Sequence, residues 1–114
     1  MLAANDDTFS KVVLSAPRPI LVHFWAPWCG ACRLILPTLN AFARSQTGPD
    51  AIGLVSVNAD DNLRLATQYR LTNLPTLILF DGGHVAYRLE EIGRRDELLR
   101  ILESMPMLPL PSPA

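Results

Sequence analysis

Two rhythms of apolar residues run along the chain. Ile20-Leu21-Val22-His23-Phe24-Trp25 is apolar at all but one position and strand-sized, as a central strand covered on both faces should be. Ile52 to Asn58 and Thr76 to Phe80 repeat that pattern, and Val85 to Leu89 follows Asp81-Gly82-Gly83, a hairpin turn. Between these stretches, apolar residues return at helical spacing. Phe9, Val12 and Val13 give a buried face to a short helix, capped by Asp6 or Asp7 and stopped by Pro17-Arg18-Pro19. A longer helix is predicted from about Cys29 to Arg44, with Leu36, Leu39, Asn40 and Ala43 on its period and a kink at Pro37. Leu63 to Tyr69 reads as a short helix capped near Asp60 or Asp61, and Asp96 to Ser104 as the closing one. The order predicts an α/β fold of parallel strand pairs joined by helices, then a hairpin edge. Only five residues precede the first cap, so any first strand is short or missing.

Residues 105–114 break both rhythms and hold four of the ten prolines. The reading is one domain over 1–104, then a flexible, Pro-rich, polyproline-like tail. Pro106-Met107-Leu108-Pro109 matches a P-x-x-P pattern in form, and a frayed end is preferred to a docking peptide. A chain of 114 residues that is 49% apolar can build one core, and a net charge of -1 leaves no electrostatic footprint for nucleic acid. No apolar run is long enough to span a membrane. Met1 to Asp7 lacks the basic and apolar segments of a signal peptide, so a cytoplasmic monomer is expected.

Cys29 and Cys32 are the only cysteines and stand where the apolar strand gives way to the long helix. With Cys29 at the helix cap and Cys32 in the first turn, the side chains share a face. That arrangement suits the short Cβ–Cβ distance of a disulfide, roughly 3.5–4.5 Å. Cys29 would meet unpaired N–H groups and the positive end of the helix dipole, which favour a thiolate. Cys32 points back into the turn and should be recessed. Cys29 is therefore the expected nucleophile and Cys32 the resolving thiol. Gly30 permits a tight bend and leaves room for a partner chain, and Trp28 supplies an apolar flank. In a reducing compartment such a pair reads as redox-active. Two thiolates half-fill a zinc site, but neither His23 nor His84 has ligand spacing, so no metal and no other cofactor is expected.

Phe24-Trp25-Ala26-Pro27-Trp28-Cys29-Gly30-Ala31-Cys32 resembles the active-site segment of the thioredoxin family. Asp6-Asp7-Thr8-Phe9, Val57-Asn58-Ala59-Asp60, Leu74-Pro75-Thr76-Leu77 and Phe80-Asp81-Gly82-Gly83 continue the likeness in order over roughly residues 5–104. The resemblance implies a thioredoxin fold, a central mixed sheet with helices on both faces. It implies thiol–disulfide exchange with disulfide-containing proteins, supplied by a thioredoxin reductase or another dithiol donor. It further implies a cis bond at Pro75 beside the cysteines, and a substrate groove at Trp28, Leu74, Pro75 and the neighbourhood of Glu91 to Gly93. A binding or assembly module, or a holdase with incidental redox activity, is the alternative.

Three departures from the family pattern bear on chemistry. His23 stands where most thioredoxins carry a buried Asp, and Ser56 where the accompanying Lys aligns. A neutral imidazole there can act as general base for Cys32, or be a core histidine satisfied by one hydrogen bond. Ala31 replaces the usual Pro and restores an N–H donor near Cys29, so the reduction potential should lie above the family's value of about -270 mV. Glu91 falls where the family often has a small Gly, Gly93 fitting only with a two-residue insertion. An acidic group there would disfavour acidic partners; the alternative is a solvated carboxylate beside Glu90.

Overall fold

The computed structural model describes residues 1–90, Ile92 and 95–105, with the backbone alone for Arg95 and Asp96. Its strands are β1 (Leu2–Ala3), β2 (Ile20–Trp25), β3 (Gly53–Asn58), β4 (Thr76–Asp81) and β5 (His84–Leu89). Its α-helices are α1 (Gly30–Ser45), α2 (Leu63–Gln68) and α3 (Arg95–Ser104). The sheet runs β1-β3-β2-β4-β5, with β1, β3 and β2 parallel and β4 antiparallel to both of its neighbours. This is the mixed sheet of the thioredoxin fold. The expected first strand is present but short, pairing Leu2 with Val55 and Ala3 with Ser56.

Alternation along the central strands explains why helices cover both faces. Ile20, Val22 and Phe24 of β2, with Ile78 and Phe80 of β4, join Phe9, Val13 and Leu65 in one core cluster. Leu21, Leu77 and Leu79 point the other way, against Ile35, Leu39 and Phe42 of α1 and Leu98 and Leu102 of α3. His23 alternates with Phe24 and so belongs to the α1 side. Pro37 lies inside α1, which continues through it to Ser45. Met105 is buried in the α1–α3 core, while the remainder of the expected tail, 106–114, lies outside the described residues.

The caps of the two short helical segments differ from expectation. The first is a π-helical segment, Ser10–Leu14, and neither Asp6 nor Asp7 caps the turn leading into it. Asn5 does so, its Oδ1 accepting the N–H groups of Asp7 and Thr8 at 2.8 and 2.9 Å. Asp6 is turned instead onto the N-terminus of α2, accepting from Leu65 N at 3.0 Å and Arg64 N at 3.4 Å. Asn62 holds it there by accepting the Asp6 N–H at 2.8 Å and donating to the Asn58 carbonyl at 2.8 Å. A carboxylate relieves orphan N–H groups wherever it comes from in the chain, so the distant Asp6 replaces the expected local cap at Asp60 or Asp61.

Candidate active site

β2 delivers the chain to the surface at Trp25, and residues 26–29 turn it into α1. Cys29 is the N-cap, with extended backbone, and its Sγ accepts the Cys32 N–H at 3.1 Å, as a serine or aspartate oxygen would at this position. The Cys29 N–H bonds to the Ala26 carbonyl at 3.1 Å, and the Arg33 guanidinium donates to the Pro27 carbonyl, so the turn is tied at both ends. Cys29 and Cys32 are joined as a disulfide, their Cα atoms 5.3 Å apart.

The inequality of the sulfurs is one of position rather than exposure. Cys29 is 4% exposed and Cys32 2%, so in this oxidised pair Cys29 is nearly as covered as Cys32. What separates them is the N–H aimed at Cys29 Sγ, which stabilises negative charge on that sulfur. Gly30 is exposed, and a Cβ built on it meets nothing within 4 Å. Neither a positive φ nor a close contact within the chain calls for glycine here. Ala31 is exposed beside it.

The flanking residues come from the same turn and from two other segments. Trp28 is 69% exposed, and its indole Nε1 donates to Asp60 Oδ2 at 2.9 Å. Asp60 is placed by a 3-10 turn, Ala59–Asp61, after β3, where its N–H bonds to Asn58 Oδ1 at 3.0 Å. The sequence reading used Asp60 only as part of a matching segment and as a possible helix cap, and missed its hold on the indole. The Leu74–Pro75 peptide is cis, as the resemblance implied. Leu74 packs with Trp25 against Ala26, Cys29 and Cys32, and Pro75 is buried beside it. Thr76 Oγ1, donating to the Asn73 carbonyl at 2.6 Å, closes this loop. Glu91 and Gly93 lie outside the described residues.

His23 is 3% exposed, in register with Ser56 of β3 and Leu77 of β4. Neither ring nitrogen has a hydrogen-bond partner among the described residues, so the single bond imagined for a core histidine is not made. Burial pushes its pKa from 6.5 down to about 4, which leaves the ring neutral at pH 7. A cavity of about 300 Å³ with mainly apolar walls runs past His23, Cys32, Leu36, Asn40 and Ser56. One space thus touches both the imidazole and the second cysteine. Among the described residues no group of three or more His, Cys, Asp or Glu is placed to hold a metal ion, and no helix is long and apolar enough to cross a membrane.

Comparison with known proteins agrees with this geometry. The thioredoxin family model matches residues 1–104. Thioredoxin 1 of Nostoc sp. is 45% identical over 79 residues, 69% of this chain and 72% of the relative. The thioredoxin of Mycolicibacterium smegmatis is 35% identical over 101 residues, 89% of this chain and 90% of the relative. A chloroplastic M-type thioredoxin of Chlamydomonas reinhardtii is 43% identical over 81 residues, 71% of this chain but 56% of that longer one. A holdase or assembly module with incidental redox activity is not favoured by relatives of this kind. The dithiol at the head of α1 and the agreement along 104 residues have one explanation: this chain belongs to the thioredoxin family and is a thiol–disulfide oxidoreductase acting on protein disulfides.

Proposed function

We propose that Cys29 is the attacking and Cys32 the resolving residue of that exchange. The Cys29 thiolate attacks one sulfur of a substrate disulfide, forming a mixed disulfide and releasing the other sulfur as a thiolate. Cys32, once deprotonated, attacks Cys29 Sγ; the Cys29–Cys32 disulfide forms and the second substrate sulfur leaves. Two electrons pass to the substrate, and a thioredoxin reductase or another dithiol donor restores the reduced pair. The observation that carries this reading is the Cys32 N–H directed at Cys29 Sγ at the cap of α1. It favours charge on the first sulfur, the one that must attack.

His23 is assigned the relay of the Cys32 proton, taking it transiently and passing it to water, since a ring with a pKa of about 4 does not keep it. It is neutral, its ring nitrogens have no partner among the described residues, and the cavity it shares with Cys32 is large enough to admit a bridging water. Trp28, Gly30, Ala31, Leu74 and Pro75 are assigned to the substrate face, and Glu91, outside the described residues, joins them on the family resemblance alone. The backbone of Leu74 would pair with an extended substrate segment. The setting we infer is a reducing cytoplasm, with the protein acting as a monomer.

A Cys32→Ser variant tests the assignment. Incubated with oxidised protein substrate, it should accumulate a mixed disulfide on Cys29, seen as a mass adduct that dithiothreitol removes. Adducts on neither residue, with wild-type activity intact, would overturn the assigned roles.

A further inference from the structure

The six-residue α2 ends at Gln68, and the chain must turn back there to bring Leu74 to the cysteines. The Arg70 N–H bonds to the Thr67 carbonyl at 3.2 Å and the Leu71 N–H to the Ala66 carbonyl at 2.9 Å. This is the double bonding of a left-handed helix cap, in which one residue takes a positive φ and glycine is usual. Here that residue is Arg70, with φ 50°. The two carbonyls at the turn, those of Tyr69 and Arg70, both accept from one side chain on β5. Arg88 donates from Nη1 to the Tyr69 carbonyl and from Nη2 to the Arg70 carbonyl at 3.0 Å. Its Nε donates to Glu90 Oε1 at 2.7 Å. One planar, half-buried guanidinium therefore fastens the end of α2 and the start of the following loop to the chain just beyond β5.

From this geometry we infer that Arg88 is a positioning residue for substrate, setting where the loop carrying Leu74 and Pro75 stands against the dithiol. The inference rests on the proposed role of the Leu74 backbone in substrate binding. The loop hangs between two fixed points, the guanidinium at residues 69 and 70 and the strand β4 at Thr76. Thr76 is held by the sheet whatever Arg88 does. The other end is held by the backbone bonds of the cap and by Tyr69 packed on Phe9, Phe24 and Phe80; the Arg88 fork adds the orientation, through bonds that water can replace at modest cost to stability but not in geometry. Lysine offers a point charge on a flexible stem and cannot meet both carbonyls and the carboxylate in one plane. A glutamine loses the charge and most of the donors.

The test is steady-state reduction of insulin disulfides, with dithiothreitol as donor, by wild type, Arg88→Gln and Arg88→Lys. Arg88→Gln should raise KM about five- to tenfold while kcat changes less than twofold, and Arg88→Lys should recover less than half of the difference. The reduction potential of the pair should not move, because no group touching sulfur has changed. Amide exchange at residues 71–74 should quicken in both variants. An unchanged KM in a folded variant, or a KM fully restored by lysine, would overturn the assignment. Should Arg88→Gln not fold, Arg88→Lys decides alone, with a wild-type KM counting against the inference. Wild-type protein that fails to reduce insulin would remove the substrate-binding reading itself, whereas an active wild type with insensitive variants removes only the role of Arg88.

Discussion

The two walls of the site are built by opposite means. The dithiol wall, residues 25–32, is held chiefly by its own neighbours: a strand end, a helix cap, and hydrogen bonds from Cys29, Cys32 and Arg33 that span six residues or fewer, with the Trp28–Asp60 bond as a long-range tie. The Leu74 wall is held from afar, by the Arg88 fork reaching back 18 and 19 residues and by packing onto the cysteines. A wall fixed locally can be tuned without moving anything else. A wall fixed remotely is adjusted by residues that never meet a substrate. Changes under the dithiol should therefore appear in proton and electron affinities, and changes behind Leu74 in binding and loop stability.

The largest expected effect lies beneath the dithiol. Because His23 is buried with its pKa lowered to about 4, the unfolded chain binds an extra proton between that value and 6.5. Stability attributable to this residue is intact above pH 6.5 and falls away as the pH drops toward 4. His23→Leu should remove roughly 3 kcal/mol of the loss between pH 7 and pH 4. Urea unfolding at the two pH values measures it, and parallel curves for both proteins would show that the imidazole is not the cause. If His23 also takes the Cys32 proton, the same variant should slow mixed-disulfide release and flatten its pH profile.

Next in size is the effect of Ala31, expected from the lone N–H that proline removes. Ala31→Pro should lower the reduction potential by about 30 mV, equivalent to about 1.4 kcal/mol. Equilibration against glutathione reports it, and a potential that stays or rises contradicts the argument. A smaller shift tests the seam between the walls. Asp60→Asn weakens the charged acceptor of the Trp28 indole and should raise KM about threefold, a loss of about 0.7 kcal/mol. An unchanged KM would mean that the indole needs no such anchor. Of similar size is Arg70→Gly, which relieves a left-handed residue without touching the carbonyl that Arg88 binds. It should stabilise the fold by about 0.5–1 kcal/mol in thermal unfolding. A destabilised variant would show that the Arg70 side chain holds more than its backbone strain costs.

The same division explains what the sequence made legible. The dithiol wall could be read from nine consecutive residues because apolar periodicity places the strand and helix, and the cap position follows from their junction. Apart from the first helical segment, which starts at Ser10 rather than just after Asp6 or Asp7, strand and helix ends fell within a residue or so of those read from pattern, Gly30–Ser45 against Cys29–Arg44 for the long helix. Interactions between residues far apart in sequence were not legible. Asp6 reads as the cap of its own segment and in fact serves α2, because nothing local says which of several carboxylates will reach a given helix end. Arg88 reads as one polar position on an edge strand, and only the folded register sets it opposite Ile78 and over the Tyr69 carbonyl. His23 stood out because a titratable residue interrupts an apolar run. That neither ring nitrogen finds a partner among the described residues depends on neighbours brought in by β3, β4 and α1.

The cap that Asp6 places on α2 ties the two ends of this architecture together. Six residues make too short a helix to persist alone in water, since nucleation is unfavourable and few bonds follow it. Its first N–H groups are bonded to a carboxylate 58 and 59 residues earlier, so α2 leans on the docked N-terminal segment. The loop to Leu74 springs from the other end of that helix. Loosening the N-terminus should therefore be felt at the substrate wall, through a helix that meets neither a substrate nor a sulfur.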